Sequence, residues 1–564
     1  MKIADYIVDT LIEKGVTDVF GVPGGSVLDF VYALDRRKKE IALRLNYHEQ
    51  ASAFAACGYA QITGKPGVAY GTKGPGFTNM LTGIADAHHN SIPALFITAH
   101  GAPTPDGLRF ENVQEIDTVG MTAKITKYAA RVTDPRDARA QINRAFEQML
   151  SGRKGAVMLD FATSVFQSEI DAEASATPAP PAAYDSLDTI VATIQAEIEK
   201  ARRPVLLIGD GINQSGTQSL LEKLVQNARV PVLSSRFAQD VIPGSEYYFG
   251  AIGSHATRYS NFVLSKCDLA VALGNRMAYN PNSKSFGAYA RRTRTIRVDI
   301  DKAELGRQLP NMANFHADLK TLMPALAKIT WQATTPAGQD WLKTCNELKN
   351  ALFQCDTDYP VTAISEIIKS TANDAVLVSD VGNNEMWLSR AYACSGCANR
   401  ILFSNNFGSL GCSLPKAIGA WHASRKRVIC FAGDMGFMMN SQELQFIARE
   451  NLPMTVVILN TRSSAMIREA QRKKGYAHNV HTTPESGYSV PAFDGIARAF
   501  GIPYFGMEPG KPVEAGHIPK DRPAIVEIPI DPGQDVLPFL PAGRPFQDFD
   551  PRLPRETHEH LDAI

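Results

Sequence analysis

The sequence predicts an α/β protein of three domains, each a mostly parallel sheet flanked by helices. Short apolar runs alternate with helical stretches along most of the chain, which is typical of parallel sheets covered on both faces. The length of 564 residues is typical of three or four domains with separate cores. A stretch rich in alanine and proline at 171–187 interrupts this alternation and indicates a linker after the first domain.

The first domain is predicted to span residues 1–170. Its opening segment, MKIADYIVDTLIEKG, places apolar residues on one helical face and ends at Gly15. A strand is expected at residues 18–21, and further strands are predicted in VAYGT, ALFITAH and GAVMLDF. A helix is predicted in DARAQINRAFEQML, between the last two of these strands.

The central and third domains repeat this alternation. Residues 188–335 carry the predicted strands PVLLIGDG, PVLSS, LAVALGN and TIRVDID, and a connection is expected at TWQATTPAG. Residues 350–532 carry the predicted strands AVLVSDVG, RVICFAGD, MTVVILN and AIVEIPI. The tail, 533–564, is rich in proline. We therefore expect no long regular element there, and we interpret it as a surface segment suited to act as a lid.

Charge and composition narrow the classes of function. Lysine and arginine number 58 and aspartate and glutamate 58, so the basic excess typical of nucleic-acid binders is absent. No apolar run approaches the roughly 18 residues that span a bilayer. Acidic residues interrupt the N-terminal segment, unlike a signal peptide. We expect a cytoplasmic protein that binds neither nucleic acid nor membrane and keeps its eight scattered cysteines reduced.

Polar residues that follow two predicted strands of the third domain form a candidate metal site. Asp434 comes directly after RVICFAG, and Thr461 and Ser463 follow MTVVILN. Carboxyl ends of parallel strands meet at one edge of a sheet, where α/β proteins bind ligands. Carboxylate, hydroxyl and backbone oxygens suit Mg²⁺ bridging to a diphosphate. The alternative is an ordinary βαβ unit with an aspartate at a strand end.

Two features of the first domain are weaker when each is taken alone. Glu49 opens an apolar helical stretch, so it fits either a catalytic carboxylate or a helix-capping, solvated side chain. The turn GPGFTN at 74–79 feeds a helix, and its glycines permit close approach of the backbone to a ligand.

Together, in this order, these motifs resemble the thiamine-diphosphate-dependent enzymes of the acetolactate synthase type, and the likeness covers almost the whole chain. It is carried also by GVPGG at 21–25, HEQ at 48–50, QEIDTVG at 114–120, VDIDKAELG at 298–306, LPKAIGA at 414–420 and DVLPFLP at 535–541. The resemblance implies a pyrimidine-binding, a central and a diphosphate-binding domain. It also implies that the cofactor lies between the first domain of one subunit and the third domain of another, so a homodimer is the minimum active unit and a tetramer stays open.

The resemblance assigns roles to individual residues. Glu49 would hydrogen-bond the aminopyrimidine ring and promote its imino tautomer, Gln114 would line the active site, and Leu410 would support the cofactor from below. Asp434, Thr461 and the backbone oxygen of Ser463 would hold Mg²⁺. The family usually has asparagine where this chain has Thr461, so Asn460 stays an alternative ligand. The other implied cofactor contacts are Pro23, Gly24, Gly25, Pro75, Asn79, Val381, Gly382, Asn383, Asn384, Gly408, Gly433, Met435, Gly436, Ser464, Ala465 and Met466.

Departures from the family pattern bear on the substrate. No pair of histidines follows Asp106, as it does in the pyruvate decarboxylases, so carbon–carbon bond formation is favoured over release of an aldehyde. Acetolactate synthases carry the motif Met-x-x-x-Trp, whereas in this chain Ala470 stands four residues after Met466, at the tryptophan position. We therefore expect a 2-oxo acid donor, pyruvate, and a carbonyl acceptor larger than pyruvate, such as a nucleotide-linked keto sugar. The alternatives are an acetolactate synthase in which neighbouring side chains refill the space, and a catalytically silent protein that binds the cofactor.

The central domain raises the question of a flavin. Gly253, Arg276, Asp299 and Asp318 match positions at which family members bind FAD, although residues 277–280 depart from the pattern. The resemblance thus implies a bound FAD with a structural role. An NAD-dependent dehydrogenase is the α/β alternative, and the run LIGDGINQSG at 207–216 fits its glycine motif only loosely.

Overall fold

A computed structural model describes residues 1–101, 113–170, 183–277, 289, 291–306, 310–328, 336–404 and 406–563. It contains three sheets of six parallel strands each, flanked by helices, and this confirms the predicted fold class. Most of the predicted linker, together with Asp106 and residues 278–280, lies outside the described residues.

The first domain contains a sheet of strand order β2-β1-β3-β4-β6-β5. Its strands are β1 (Asp18–Gly21), β2 (Ala42–Leu45), β3 (Gly67–Tyr70), β4 (Ala94–His100), β5 (Tyr128–Val132) and β6 (Ala156–Ala162). Its helices are α1 (Ile3–Glu13), α2 (Leu28–Arg36), α3 (Glu49–Thr63), α4 (Pro75–His89), α5 (Thr118–Thr122) and α6 (Ala138–Leu150). The inner strands β3, β4 and β6 are buried along their whole length, because helices cover both faces of the sheet.

The central domain contains a sheet of order β12-β11-β10-β7-β8-β9. Its strands are β7 (Pro204–Ile208), β8 (Val232–Ser234), β9 (Tyr248–Ala251), β10 (Leu269–Leu273), β11 (Arg294–Asp299) and β12 (Met312–His316). The described helices of this region are α7 (Leu187–Lys200), α8 (Gly211–Ser215), α9 (Gln218–Ala228), α10 (Arg258–Lys266), α11 (Leu319–Leu326) and α12 (Pro336–Leu352). Helix α12 begins within the stretch TWQATTPAG, for which the sequence predicted a connection, and extends beyond it. Trp341 on this helix donates a hydrogen bond to the Pro204 carbonyl at 3.0 Å.

The third domain contains a sheet of order β14-β13-β15-β16-β18-β17. Its strands are β13 (Ala375–Ser379), β14 (Arg400–Leu402), β15 (Arg427–Gly433), β16 (Met454–Asn460), β17 (Tyr504–Gly506) and β18 (Ala524–Pro529). The helices of this region and the tail are α13 (Tyr359–Lys369), α14 (Asn383–Ser395), α15 (Ser413–Ser424), α16 (Asp434–Met438), α17 (Leu444–Arg449), α18 (Ala465–Lys473), α19 (Phe493–Ala499) and α20 (Arg555–Ala563). The tail therefore ends in one short helix after its last proline, Pro554.

Two helices pack the first domain against the third. Helix α3 meets α15 so closely that a Cβ atom at Gly58 would lie 2.1 Å from the Lys416 carbonyl oxygen. A Cβ atom at Gly419 would lie 1.9 Å from the Ala55 carbonyl oxygen. Both glycines are therefore required by the contact itself. Beside it, the ammonium group of Lys416 lies 2.7 Å from the carboxylate of Asp86, and both side chains are fully buried.

Within the described parts of the chain, no helix is both long enough and apolar enough to cross a membrane.

Candidate active site

Glu49 stands at the head of helix α3. The ring of His48 caps this helix by accepting a hydrogen bond from the Gln50 backbone at 3.1 Å. Oε2 of Glu49 accepts a hydrogen bond from the Asn79 side chain at 2.9 Å. Oε1 faces the glycine-rich turn, because a Cβ atom at Gly76 would lie only 3.1 Å from it. The structure thus brings together the predicted carboxylate and the predicted turn.

Gln114 lies beside the same turn in a strained backbone conformation. Its φ is +65°, and Gly74 opposite it has a φ of +64°. A Cβ atom at Gly74 would lie 2.7 Å from the Gln114 carbonyl oxygen. The next residue, Glu115, accepts hydrogen bonds from the Lys73 ammonium group at 3.1 Å and from the Gly101 backbone at 2.7 Å. Left-handed glutamine is uncommon and marks a position that its surroundings hold in place.

The loop that carries Pro23, Gly24 and Gly25 packs on this turn from the other side. A Cβ atom at Gly24 would lie 2.4 Å from the Thr72 side chain. The hydroxyl groups of Ser26 and Thr72 are 2.9 Å apart. Pro75 is the first residue of α4, so it lies between Gly74 and Gly76 in the same cluster.

Three residues of the third domain bring oxygen atoms that could bind a metal close together. Asp434 is the first residue of α16, directly after β15, and Thr461 follows β16. The Thr461 hydroxyl lies 3.4 Å from Oδ2 of Asp434, and it donates to the Ser463 carbonyl oxygen at 2.8 Å. All three residues are buried. This is the set that the sequence predicted from two neighbouring strand ends.

Asn460, the alternative ligand, is held away from these oxygens. Its Nδ2 donates to Glu527 at 2.7 Å, and its Oδ1 accepts from the Arg462 backbone at 3.0 Å. The carboxylate of Glu527 is bonded in turn by the Tyr504 hydroxyl at 2.6 Å. Thr461, rather than Asn460, therefore faces Asp434.

Sequence reasoning missed Tyr488, which touches the same carboxylate. Its hydroxyl donates to Oδ1 of Asp434 at 2.7 Å, and the Met435 backbone donates to the same oxygen at 2.8 Å. Burial raises the pKa of Asp434, and these hydrogen bonds act in the opposite direction. Tyr488 lies in an irregular segment 54 residues along the chain, and no motif marks it.

Leu410 lies over Gly436, because a Cβ atom at Gly436 would come within 3.3 Å of its side chain. Leu410 is only half-buried, so it presents apolar surface beside the three oxygens.

Asp380, which sequence reasoning also missed, fixes the two loops around it. This buried carboxylate accepts from the backbone of Val381 at 2.9 Å, of Gly411 at 2.8 Å and of Ser413 at 2.9 Å. Its position at the end of β13 repeats the strand-end signal of Asp434.

The other predicted residues of the third domain surround this group. Gly382 caps helix α14 with a φ of +120°, and Asn384 donates to the Asp380 carbonyl at 2.9 Å. A Cβ atom at Gly408 would lie 4.0 Å from Val381. The remaining members open α14, flank Asp434 or open α18, namely Asn383, Gly433, Met435, Ser464, Ala465 and Met466.

The two clusters are connected through residues that lie between them, and not by a direct hydrogen bond among the described residues. Asn440 donates to the Gln50 side chain at 3.3 Å and to the Gly411 carbonyl at 2.8 Å. Glu443 is fully buried and accepts from the Asn46 side chain at 2.8 Å. Burial raises the pKa of Glu443 to about 7. Among the described residues, no hydrogen bond joins Glu49 to the oxygen cluster at Asp434.

A separate cavity of about 440 Å³ opens in the central domain. It lies where β7 and β10 end side by side and the strand order reverses, a usual place for ligands in α/β sheets. Its walls include all four residues predicted there, Gly253, Arg276, Asp299 and Asp318. The first domain contributes Asn90, Ser91, Arg153 and Lys154, and the third contributes Asn406.

The lining of this cavity carries more basic than acidic side chains. Five basic side chains and three acidic ones line it, namely Arg153, Lys154, Arg236, Arg276, Lys320, Asp210, Asp299 and Asp318. Arg276 also pairs with Glu304 at 2.9 Å. Its floor brings backbone close to backbone, because a Cβ atom at Gly209 would lie 2.2 Å from the Gly274 carbonyl oxygen. Burial raises the pKa of Asp299.

Three family descriptions match successive parts of the chain. "Thiamine pyrophosphate enzyme, N-terminal TPP binding domain" matches residues 1–121. "Thiamine pyrophosphate enzyme, central domain" matches residues 191–326. "Thiamine pyrophosphate enzyme, C-terminal TPP binding domain" matches residues 380–528. The first and last of these regions hold the two clusters, and the middle one holds most of the cavity wall.

Similar proteins extend over nearly the whole chain. It is 32% identical over 557 residues to the acetolactate synthase large subunit of Lactococcus lactis subsp. lactis (strain IL1403), covering 96% of this chain and 94% of that protein. It is 31% identical over 563 residues to the acetolactate synthase isozyme 2 large subunit of Escherichia coli (strain K12), with coverage of 96% and 98%. It is 31% identical over 575 residues to acetolactate synthase 1, chloroplastic, of Oryza sativa subsp. japonica, with coverage of 97% and 87%. The chain therefore belongs to the thiamine-diphosphate-dependent enzymes of the acetolactate synthase type, which form carbon–carbon bonds.

Proposed function

We propose that this enzyme binds thiamine diphosphate with Mg²⁺, decarboxylates pyruvate and transfers the two-carbon unit to a carbonyl acceptor larger than pyruvate. The observation that carries the proposal is the convergence of Asp434, Thr461 and Ser463 at the ends of two neighbouring strands. When bound, the cofactor would supply the nucleophilic carbon for this chemistry, and the chain would supply the groups that hold and protonate the reactants.

The oxygen donors fit Mg²⁺. This ion prefers hard oxygen ligands and keeps several waters or phosphate oxygens of its own, so one carboxylate, one hydroxyl and one carbonyl are a sufficient protein contribution. The Thr461 hydroxyl uses its proton on the Ser463 carbonyl, which leaves its lone pairs for a cation. These three residues would hold the metal, and Gly382 and Asn383, at the head of α14, would meet the diphosphate.

Glu49 is the group we assign to proton exchange with the pyrimidine ring. Asn79 occupies its Oε2, so Oε1, beside Gly76, is the oxygen left to hold and pass a proton. Gln114 would orient the donor acid through its side-chain amide, since its strained backbone holds it at the rim of the same turn. Glu49→Gln should abolish pyruvate consumption while thiamine diphosphate still binds. The neighbouring substitution Gln50→Glu cannot serve as its control, because the Gln50 side chain accepts a hydrogen bond from Asn440.

Exposed apolar side chains beside both clusters support a homodimer. Phe407 and Met439, next to the oxygen cluster, are 43% and 48% exposed, and Tyr47, two residues before Glu49, is 44% exposed. A second copy that covers them would bring the first domain of one subunit to the third domain of the other. Sedimentation of the holoenzyme distinguishes a dimer from a tetramer, and a monomer that turns over substrate would contradict the shared site.

Ala470, at the position where the family carries tryptophan, is the reason for proposing a larger acceptor. On helix α18 Ala470 is only half-buried and Ile467 is 52% exposed, so the surface next to Met466 is accessible to solvent and lacks the large ring that tryptophan would add. The names of the similar proteins favour the alternative, an acetolactate synthase that joins two pyruvates.

Proton NMR with pyruvate alone, and then with a panel of larger ketones and aldehydes that includes nucleotide-linked keto sugars, separates the two. Slow loss of pyruvate that accelerates with one large acceptor supports the proposal, and rapid acetolactate formation from pyruvate alone refutes it. Ala470→Trp should suppress the large acceptor, while Ala470→Ser, which preserves the space, should not. No loss of pyruvate under any condition would indicate a silent binding protein or another donor.

We also propose that the central cavity binds FAD in a structural role, supported by its cationic surplus and its glycine floor. Visible flavin absorbance of the purified protein, lost from a Gly209→Val variant, tests this. Buried, free thiols such as Cys57, Cys345 and Cys412 fit the reducing cytoplasm in which we place the enzyme.

A further inference from the structure

The two carboxylate oxygens of Asp434 have different surroundings. Oδ1 accepts hydrogen bonds from the Tyr488 hydroxyl at 2.7 Å and from the Met435 backbone at 2.8 Å. Oδ2 faces the Thr461 hydroxyl at 3.4 Å. Two donors on one oxygen fix the rotation of the carboxylate, because turning it would leave the buried Tyr488 hydroxyl without its acceptor. The other oxygen, Oδ2, is thereby turned towards Thr461 and Ser463.

The segment that carries Tyr488 is itself tied to the other side of the oxygen cluster. The Ser464 backbone donates to the Thr482 carbonyl at 3.0 Å, directly after Ser463. The Thr482 hydroxyl donates to the Gln471 side chain on α18 at 3.0 Å. Segment 482–488 therefore reaches from the loop after β16 to the residue after β15.

The turn inside this segment is internally closed. The Ser486 hydroxyl accepts from the Thr482 backbone at 3.0 Å and from the Thr483 backbone at 2.9 Å. The Thr483 side chain accepts from the Ser486 backbone in return, which completes a capping box. The Tyr488 backbone then donates to the Thr483 carbonyl at 2.9 Å. Tyr488 is 8% exposed, so its ring has little freedom to leave Asp434.

We propose that segment 482–488 braces the metal site, with Tyr488 as the positioning residue that turns Oδ2 of Asp434 towards Thr461 and Ser463. The inference rests on the proposed Mg²⁺ site and adds a residue that neither the family pattern nor the strand-end signal identified. Groups that orient metal ligands typically change metal affinity by about 10- to 100-fold when removed. The loss should fall on metal binding, with turnover recovered when Mg²⁺ is in large excess.

The test compares Tyr488→Phe with Tyr392→Phe in the full-length protein. Tyr392 is a matched control, because its buried hydroxyl donates to the Asn399 carbonyl at 2.8 Å within the same domain and away from Asp434. Mn²⁺ titration followed by electron paramagnetic resonance, with thiamine diphosphate present, measures metal affinity without reference to activity. Far-ultraviolet circular dichroism confirms that each variant is folded.

The expected result is metal affinity about 10- to 100-fold weaker for Tyr488→Phe and unchanged for Tyr392→Phe. A second variant, Ser486→Ala, keeps the tyrosine but opens the turn, and should give a smaller loss of the same kind. Equal affinity of Tyr488→Phe and wild type overturns the brace, and so does an equal loss in Tyr392→Phe. A wild-type protein that takes up no Mn²⁺ overturns the proposed metal site itself, and this outcome is distinct because it needs no variant.

Discussion

The contact between helices α3 and α15 predicts an unusual response to adding one methyl group. Gly419→Ala places a Cβ atom 1.9 Å from the Ala55 carbonyl oxygen and 2.8 Å from the Tyr59 backbone nitrogen. An ordinary contact begins at 3.4 Å, so the helices must separate by about 1.5 Å. Both neighbours are backbone atoms of a helix, and no side-chain rotation relieves the clash.

The sign of the effect follows from two opposing terms. Alanine in a helix interior is favoured over glycine by about 1 kcal/mol. Overpacking of a tight contact costs about 1–3 kcal/mol, and here it separates two domains rather than two side chains. We therefore expect net destabilisation. Gly495→Ala is the matched control, because on helix α19 the nearest atom to the new Cβ is the end of Arg498 at 3.8 Å. That substitution should stabilise by about 0.5–1 kcal/mol.

Thermal unfolding of both variants, followed by circular dichroism, provides the comparison. Each kcal/mol corresponds to about 2–4 °C for a domain of this size. Gly419→Ala should lower the midpoint and reduce pyruvate turnover, since Glu49 is the first residue of α3. Gly495→Ala should raise the midpoint and leave turnover unchanged. A Gly419→Ala protein as stable as the control would refute the described packing of the first domain on the third.

Three further outcomes are expected. Thr461→Val, which replaces the hydroxyl by a methyl group, should weaken Mg²⁺ binding by about 10-fold or more in a Mn²⁺ titration, and equal binding would exclude Thr461 as a ligand. Glu443 has a folded-state pKa of about 7, above the ordinary 4.5, so its contribution to stability is full below pH 4.5 and falls as the pH rises through 7. As the pH rises from about 4.5 to about 8, the free energy of unfolding of Glu443→Gln should therefore increase by up to about 3 kcal/mol relative to that of wild type. The difference between their thermal midpoints should change with pH, and a constant difference would contradict this. Lys416→Met leaves the Asp86 carboxylate buried without its cation and should cost about 3–5 kcal/mol, and the double variant with Asp86→Leu should recover much of the loss in thermal melts.

The strands that the sequence predicted and those it did not differ in their place in the sheets. Every inner strand was identified, because most of them form a nearly continuous apolar run that is buried on both faces. The outermost strand on each side of every sheet was missed, namely β2, β5, β9, β12, β14 and β17. Strand β2 is half-exposed and carries Arg44, and β12 is half-exposed throughout and carries Asn314. Edge strands lack neighbours on one side and need no continuous apolar run.

A similar physical limit applies to the site. Asp434, Thr461 and Ser463 are found together in space because strand ends in one sheet edge are adjacent whatever the details of the loops. Tyr488 reaches Asp434 through a capped turn without periodic pattern, and only three-dimensional packing reveals it. Lys73 and Glu115 meet because a turn and a loop of the first domain are folded together, so neither residue marks the other in the sequence.

The central cavity links occupancy to the arrangement of the domains. Arg153 and Lys154 come from the first domain and Asn406 from the third, so a ligand held there touches all three parts of the chain. A ligand that binds only the docked arrangement stabilises that arrangement, and the stabilisation grows with the logarithm of the ligand concentration. When the ligand is scarce, the contacts between the domains would weaken first, while the sheet inside each domain stays folded. The supply of such a ligand would in this way set the fraction of chains whose three domains are docked together.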